Sequence, residues 1–296
     1  LFDRVRHVSG EAACDDHALS PRISGSTRII AHVGHPTEGF RSPLIYNPWF
    51  AQQGIDAAVV PMDVPAAAWP ALIRPLLAIG NMIGALVTMP LKPMTAALVD
   101  EVSVAARVAG ACNAVRRGAD GRLHGAMFDG EGFLRGLRGH GREPRGATAL
   151  VVGAGGVGSA IAAALAGAGV AALRLCDTRA AAAEALAGRL RAHHPGLSVS
   201  VGAPDAQGCT IAVNATPMGM AAGDKLPFDP GGLDPGCFVG EVVMRETHTP
   251  LLRAALARGC AVQPGSDMLF AQIPAYLAWF GLPPATPEQL RAAEAG

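Results

Sequence analysis

The sequence predicts an α/β protein of two domains. Three observations carry this. Short apolar runs alternate with helix-like stretches from residue 27 onward. The alternation breaks at a polar Gly/Pro segment, "GREPRG" at 141–146, and then restarts. A glycine-rich turn follows the restart, with an apolar run before it and an alanine-rich run after it. Strand–helix–strand alternation implies mostly parallel sheets with helices on their faces. With 296 residues, half of them hydrophobic, the chain has length for two domains and apolar side chains for two cores.

In order, "TRIIAHVG" (27–34) reads as a strand, and "PLIYNPWFAQQG" (43–54) as a helix stopped by glycine. "IDAAVVPMDV" (55–64) is a second strand, "WPALIRPLLAIG" (69–80) a helix in spite of its inner proline, and "IGALVTMP" (83–90) a third strand. After the break, "ATALVVGAGGVGSAIAAALAGAG" (147–169) is a strand, a turn and a helix, and "AALRLCDT" (171–178) the next strand. "RAAAAEALAGRLRAHH" (179–194) is a helix whose basic residues gather toward its end, as the helix dipole favours. "CTIAVNATP" and "CFVGEVV" are later strands, and residues 268–280 a last helix. Residues 1–26 are polar and aperiodic; the chain opens on Leu, and this segment is expected to be a disordered or non-native tail outside the fold.

Composition excludes several classes. Basic and acidic side chains balance at 24 each, so no excess charge draws a nucleic acid. The six cysteines are spread without a CxxC or Cys/His cluster, and the histidines form no HExxH, so no metal site is expected. His193-His194, ahead of Pro-Gly, reads as an exposed helix end. No run is long and apolar enough for a membrane span, and no signal peptide is visible. A cytoplasmic monomer or homodimer acting on a small molecule, with no membrane partner, is the expectation.

Two segments carry chemistry. In "VVGAGGVGSA", Gly153, Gly155 and Gly158 have G-x-G-x-x-G spacing between a strand and a helix. The first glycine permits the tight turn, the second admits a pyrophosphate to the backbone, and the third lets helix and strand pack closely. The helix N-terminus offers free N–H groups to phosphate. Asp177 ends the following strand, where a carboxylate binds the ribose hydroxyls of NAD and repels the extra phosphate of NADP. Arg179, two residues on, could instead pair with that phosphate. NAD is the expected cofactor, with NADP possible. In "LVTMPLKPMT" (86–95), Lys92 stands between Pro90 and Pro93, on a stiff turn after a strand. A solvated loop lysine is the plain alternative for that stretch.

Beside a nucleotide domain, that stretch resembles the N-V-T-x-P-x-K motif of the shikimate/quinate dehydrogenase family. "GHPTEGFRSPLIYN", "AGACNAV", "GAMFDGEGF", "VNATPMGM", "THTPLLRAALARGC" and "GSDMLFAQ" resemble further motifs of that family, in order, from about residue 29 to 280. The resemblance implies a substrate-binding domain at 27–128 completed by 265–296, and a Rossmann NAD(P)-binding domain at 129–264, with the last helix returning to the first domain. It implies Lys92 as the catalytic base or acid and Asp129 as its partner. Ser42, Thr88, Asn113 and Gln272 fall on substrate-contacting positions, and so do Phe40 and Met244. Cofactor contacts fall on Gly153, Ala154, Gly155, Gly156, Val157 and Gly158, on Asp177, Thr178 and Arg179, on Asn214, Ala215 and Thr216, and on Val242 and Gly265.

The implied activity is oxidation and reduction of a secondary alcohol on shikimate, quinate or a related hydroxylated ring carboxylate. The chain departs from the pattern on the substrate side. Gly39-Phe40 replaces His-Ser, Leu86 replaces the Asn of N-V-T, Met127-Phe128 replaces Asn-Thr, Glu241 replaces Asp, and Met244 replaces Tyr. Phe40 cannot make the hydrogen bond to a substrate carboxylate that the serine makes. A dehydrogenase for a less acidic cyclic polyol is therefore a second expectation. A non-catalytic ligand sensor is a third, weakened because Lys92 and Asp129 are both present.

Overall fold

The computed structural model describes residues 23–295, so the expected tail lies outside the described residues as far as residue 22. Residues 23–26 depart from that expectation. The Ser24 N–H donates to Thr27 Oγ1 and the Ser26 hydroxyl to Asp56, which ties this turn to the residues that lead into the first and second strands.

The first half opens with β1 (Arg28–Gly34), α1 (Ser42–Gln52), β2 (Ala57–Asp63), α2 (Trp69–Leu77), β3 (Met82–Val87) and α3 (Lys92–Leu98). Ile30, Ala31 and Val33 are fully buried, because helices cover both faces of β1. Pro61 is tolerated because β2 is an edge strand. The Asn47 side chain serves that edge, accepting from Val59 N and donating to Val59 O. On α1, Ile45, Tyr46, Trp49 and Phe50 form one buried stripe.

Then follow β4 (Glu101–Val102), α4 (Val104–Ala109), β5 (Ala114–Arg117), β6 (Leu123–Ala126) and α5 (Asp129–Gly139). Ser103 caps α4 through Ala106 N, and Gly110 ends it at φ 67°, a left-handed cap suited to glycine. The six strands run in the order β2-β1-β3-β5-β6-β4. Strands β1 to β3 are parallel, as the alternation predicts, but β5 is antiparallel to both β3 and β6.

The second half comprises β7 (Thr148–Val152), α6 (Gly156–Gly167), β8 (Ala172–Cys176), α7 (Ala180–His193), β9 (Ser198–Val201), β10 (Ile211–Asn214), β11 (Phe238–Glu241), α8 (Pro250–Ala257) and β12 (Ala261–Gln263). Its order is β12-β11-β10-β7-β8-β9, with every pair parallel. The order reverses between β7 and β10, and in such sheets ligands bind outside the strand ends at that reversal.

Helices α9 (Gly265–Trp279) and α10 (Pro287–Ala295) return the chain to the first sheet, where Leu277, Leu290 and Ala293 join the core around Ile30 and Phe50. Helix α5 packs against both α6 and α9. It can do so because it carries glycine at the contacts: a Cβ on Gly130 would lie 2.2 Å from Ala160 O, and one on Gly132 would lie 2.6 Å from the Gln272 Cβ. Arg189 of α7 adds a tie, donating from Nε and Nη2 to the Val108 and Ala109 carbonyls that end α4.

Candidate active site

Lys92 is the first residue of α3, so the turn predicted around it is in fact a helix start. Pro93, next to it, is tolerated in a first turn whose N–H groups have no helical partner. The side chain is not solvated; the residue is 8% exposed. Its Nζ donates to Asp129 Oδ2 at 2.6 Å. Asp129 opens α5 and is 3% exposed, and its second oxygen accepts from Asn113 Nδ2 at 2.8 Å. Asn113 is held in turn, its Oδ1 accepting from Phe128 N at 2.9 Å. The Lys92 carbonyl accepts from Cys112 N, which fixes the lysine's helix to the strand leading out of Asn113. Three segments far apart in sequence thus converge on one buried, oriented ion pair.

The residues expected to contact substrate sit on several elements of the first sheet and on the returning helix. Thr88 sits in the turn before Lys92, its N–H bonded to Val33 O. Phe40 stacks on His32 of β1 with ring centroids 4.1 Å apart and planes 26° apart. Gly34 permits this crowding, since a Cβ there would lie 2.5 Å from Thr88 and 2.8 Å from Phe40. Ser42 is the buried first residue of α1, and Gln272 is buried on α9 beside Gly132 of α5. Met244 is more exposed, in a loop after β11. With Arg41, Arg245, Glu246, Thr247 and Ser266 it lines a cleft of about 170 Å³.

Three polar residues of this region were not singled out in the sequence. His32 carries an imidazole inside an apolar strand, and that interruption of "IIAHVG" was the available signal. Burial and the nearby Lys92 charge push its pKa down to about 3. Tyr276 follows Gln272 by one helical turn, a spacing that places both on one face of α9. Burial, with the Asp129 charge and Tyr46 nearby, pushes the Tyr276 phenol well above its usual range. Tyr46 sits in the "SPLIYN" segment, and its phenol is raised by burial.

The glycine turn is made of backbone. Gly153 takes φ 106° directly after β7, and a Cβ on it would lie 2.6 Å from Ala215 O. A Cβ on Gly158 would lie 1.9 Å from Gly153 O, so only glycine closes this turn against α6. Gly155 and Gly156 begin α6, with Ala154 and Val157 half-buried beside them. Asp177 Oδ2 accepts from Ala154 N at 2.7 Å, and Oδ1 from Arg179 N at 2.8 Å. Burial raises the Asp177 pKa, but these N–H donors and the Arg179 charge outweigh it and leave the carboxyl below its usual range. Each oxygen keeps acceptor capacity on the exposed side, where Thr178 and Arg179 lie in solvent.

Asn214 is fully buried, and its side chain is used inside the protein. Its amide nitrogen donates to Met218 O and Glu241, and its oxygen accepts from Thr216 N and Oγ1. It shapes the 215–219 loop and leaves Ala215 and Thr216 to face the turn. Glu241 anchors the same loop, accepting also from Val242 N, Val243 N and Thr249 Oγ1. Burial pushes its carboxyl up in pKa, which those donors offset in part. Gly265 packs on Val242 and Val243, whose backbone atoms would lie within 2.8 Å of a Cβ there.

The two regions touch: a Cβ on Gly156 would lie 3.3 Å from the Lys92 Cβ. A nucleotide cradle therefore abuts an oriented lysine. The cradle fits a dinucleotide on its own geometry, with backbone closed to any side chain at Gly158 and a twelve-residue helix beginning at Gly156. Fold and site together define an NAD(P)-dependent oxidoreductase acting on a CH–OH group.

Comparison with known proteins narrows the class. Residues 33–115 match the family model described as the shikimate dehydrogenase substrate binding domain. The chain is 43% identical over 269 residues to the shikimate dehydrogenase (NADP(+)) of Rubrobacter xylanophilus, covering 89% of this chain and 94% of that one. Among solved structures, the shikimate 5-dehydrogenase of Thermus thermophilus, in complex with NADP(H) and shikimate, is 31% identical with TM-score 0.79, covering 91% of this chain and 99% of that one. The quinate dehydrogenase of Corynebacterium glutamicum, in complex with NAD, is 30% identical with TM-score 0.80, covering 90% and 98%. The chain belongs to the shikimate/quinate dehydrogenase family.

Proposed function

We propose that this site interconverts a secondary alcohol and a ketone on shikimate, quinate or a related hydroxylated ring carboxylate. The observation that carries the reading is the buried Lys92–Asp129–Asn113 chain, at 2.6 and 2.8 Å, placed against the glycine turn. Residues 27–128 with 265–296 hold the substrate, and residues 129–264 hold the nucleotide. When bound, the nicotinamide supplies the hydride chemistry. The chain's own residues handle the proton. In the reducing direction the Lys92 ammonium donates a proton to the oxygen as charge develops on it; in the oxidising direction the free amine accepts it. Asp129 orients the lysine and adds an acceptor for a neighbouring hydroxyl, and Asn113 orients Asp129. Burial of the pair strengthens each of these interactions. Ser42, Thr88 and Gln272 line the space for the rest of the ring, and Met244 its mouth.

For the cofactor, the Asp177 carboxylate favours NAD, since it can accept from ribose hydroxyls and repels a phosphate. The relatives named for NADP(+) make NADP the competing outcome, with Arg179 as its partner. A second substrate reading, a less acidic cyclic polyol, is favoured by Phe40, which covers His32 where a serine would meet a carboxylate. The five cysteines among the described residues are free, which fits a reducing cytoplasm, and a monomer or homodimer suffices, since every residue invoked comes from one chain.

The test is steady-state formation of reduced nucleotide from shikimate, quinate and uncharged cyclic polyols, each with NAD and NADP. Turnover on a ring carboxylate supports the leading reading. Turnover on the uncharged polyols alone moves the assignment to the second. No turnover on any of them rejects both.

A further inference from the structure

We propose that His32 is a substrate-contacting, specificity-determining residue whose imidazole hydrogen-bonds a hydroxyl group of a polyhydroxylated ring beside Lys92. This rests on the reading above, that a ring alcohol reacts at Lys92.

The fold uses the His32 ring for packing against Phe40 but leaves its polar edge unused. His32 is 8% exposed, and its Nδ1 is buried with no hydrogen-bond partner among the described residues. Leaving a buried polar atom unpaired is costly, and native proteins seldom do so without a reason. Any aliphatic side chain would serve the strand better, as Ile30 and Val33 do on either side. Among the described residues no group of three His, Cys, Asp or Glu gathers the imidazole into a metal site.

Its position points to the substrate. His32 pairs with Leu86 across the parallel β1–β3 ladder, so the two side chains leave the sheet on the same face. That face looks toward α1 and α9, where Tyr46 Oη and Gln272 Oε1 are likewise buried and unpartnered. Leu86 offers nothing to a hydroxyl, so His32 is the polar group at this level of that face. Phe40 fixes the ring plane by stacking on it.

The chemistry selects the partner. Burial and the Lys92 charge keep the imidazole neutral, with one donor and one acceptor nitrogen. A hydroxyl group matches both roles. A carboxylate can use only the donor, and an ammonium only the acceptor.

The experiment compares wild type, His32→Leu and His32→Gln on shikimate, quinate and ring analogues each lacking one hydroxyl. His32→Leu is expected to raise KM for the fully hydroxylated ring about tenfold, the worth of one hydrogen bond to a neutral group. Its kcat and nucleotide KM should stay within about twofold. His32→Gln should keep most of the affinity. For one of the deoxy analogues, wild type and His32→Leu should bind alike. The Tm of His32→Leu should rise, because an unpaired polar group has left the core. Unchanged KM in His32→Leu, or the same loss on every analogue, overturns the proposal, as does a fall in Tm together with the affinity. If no compound turns over, the functional reading fails, and thermal shifts with the same compounds and NAD decide the His32 claim. A shift present in wild type and His32→Gln but lost in His32→Leu upholds it. Equal shifts, or none, overturn it.

Discussion

The two sides of the active cleft are built from different material. The nucleotide turn is backbone: Gly153, Gly155 and Gly158 leave no side chain in the way, and its main contacts are satisfied internally through Asp177, Asn214 and Ala215. The substrate wall is side chain: Lys92, Asp129 and Asn113 form one paired cluster, while His32, Tyr46 and Gln272 hold polar atoms that nothing in the described protein engages. A site made of backbone serves a part common to all dinucleotides, whereas unpaired side chains await a specific ligand. The glycine turn and the lysine cluster are complete within the protein, whereas the polar atoms of His32, Tyr46 and Gln272 are not.

Four changes would break or sharpen that contrast. The largest effect is expected on the wall. Asp129→Asn removes the charge that holds Lys92, and kcat should fall by about 10²–10⁴-fold with nucleotide affinity unchanged. An equal loss of nucleotide binding, read by fluorescence titration, would mean that the two regions are not separable. Next, Gly158→Ala should act on the turn alone. Its Cβ would meet Gly153 O at 1.9 Å, so the variant should lose about a hundredfold in nucleotide affinity and up to about 3 kcal/mol of stability. Calorimetric binding and denaturant melts would show this. Third, Asp177→Asn should lower the NAD-over-NADP ratio of kcat/KM by about tenfold, one charge's worth of selectivity at a half-screened site. A ratio that does not move would leave Arg179 as the reader of the nucleotide.

The fourth change is read through pH. His32 has a folded pKa of about 3, below its unfolded value, so the unfolded chain binds the extra proton first. The stability tied to neutral His32 is complete above about pH 6.5 and is lost as pH falls toward the folded pKa, at up to about 1.4 kcal/mol per unit. His32→Leu should flatten that acid limb. Melts of both proteins between about pH 4 and 7 would check it, and parallel curves would mean that His32 does not titrate on unfolding.

What was legible in the sequence follows the same division. The glycine turn is local: its residues lie within one strand–turn–helix, so spacing alone exposes it. The ion pair is not local. Lys92 reads as a plain loop residue until the family resemblance supplies Asp129, 37 positions away. His32 stayed hidden because its meaning depends on Phe40 and Leu86, brought to it by a turn and by another strand. Strands β5 and β6 have four residues each and no clear alternation, so the antiparallel part of the first sheet left no periodic trace. Helix α5 was hidden by its own glycines, which lower helix propensity but permit close packing against α6 and α9.

The central claim is that Lys92 moves the proton while the glycine turn holds the nucleotide. The direct measurement is turnover of Lys92→Ala on the best substrate of the panel, alongside the nucleotide Kd of the same preparation. The account predicts turnover reduced by about 10²–10⁴-fold at an unchanged Kd. Near-native turnover, or a Kd weakened in step with the rate, would contradict it.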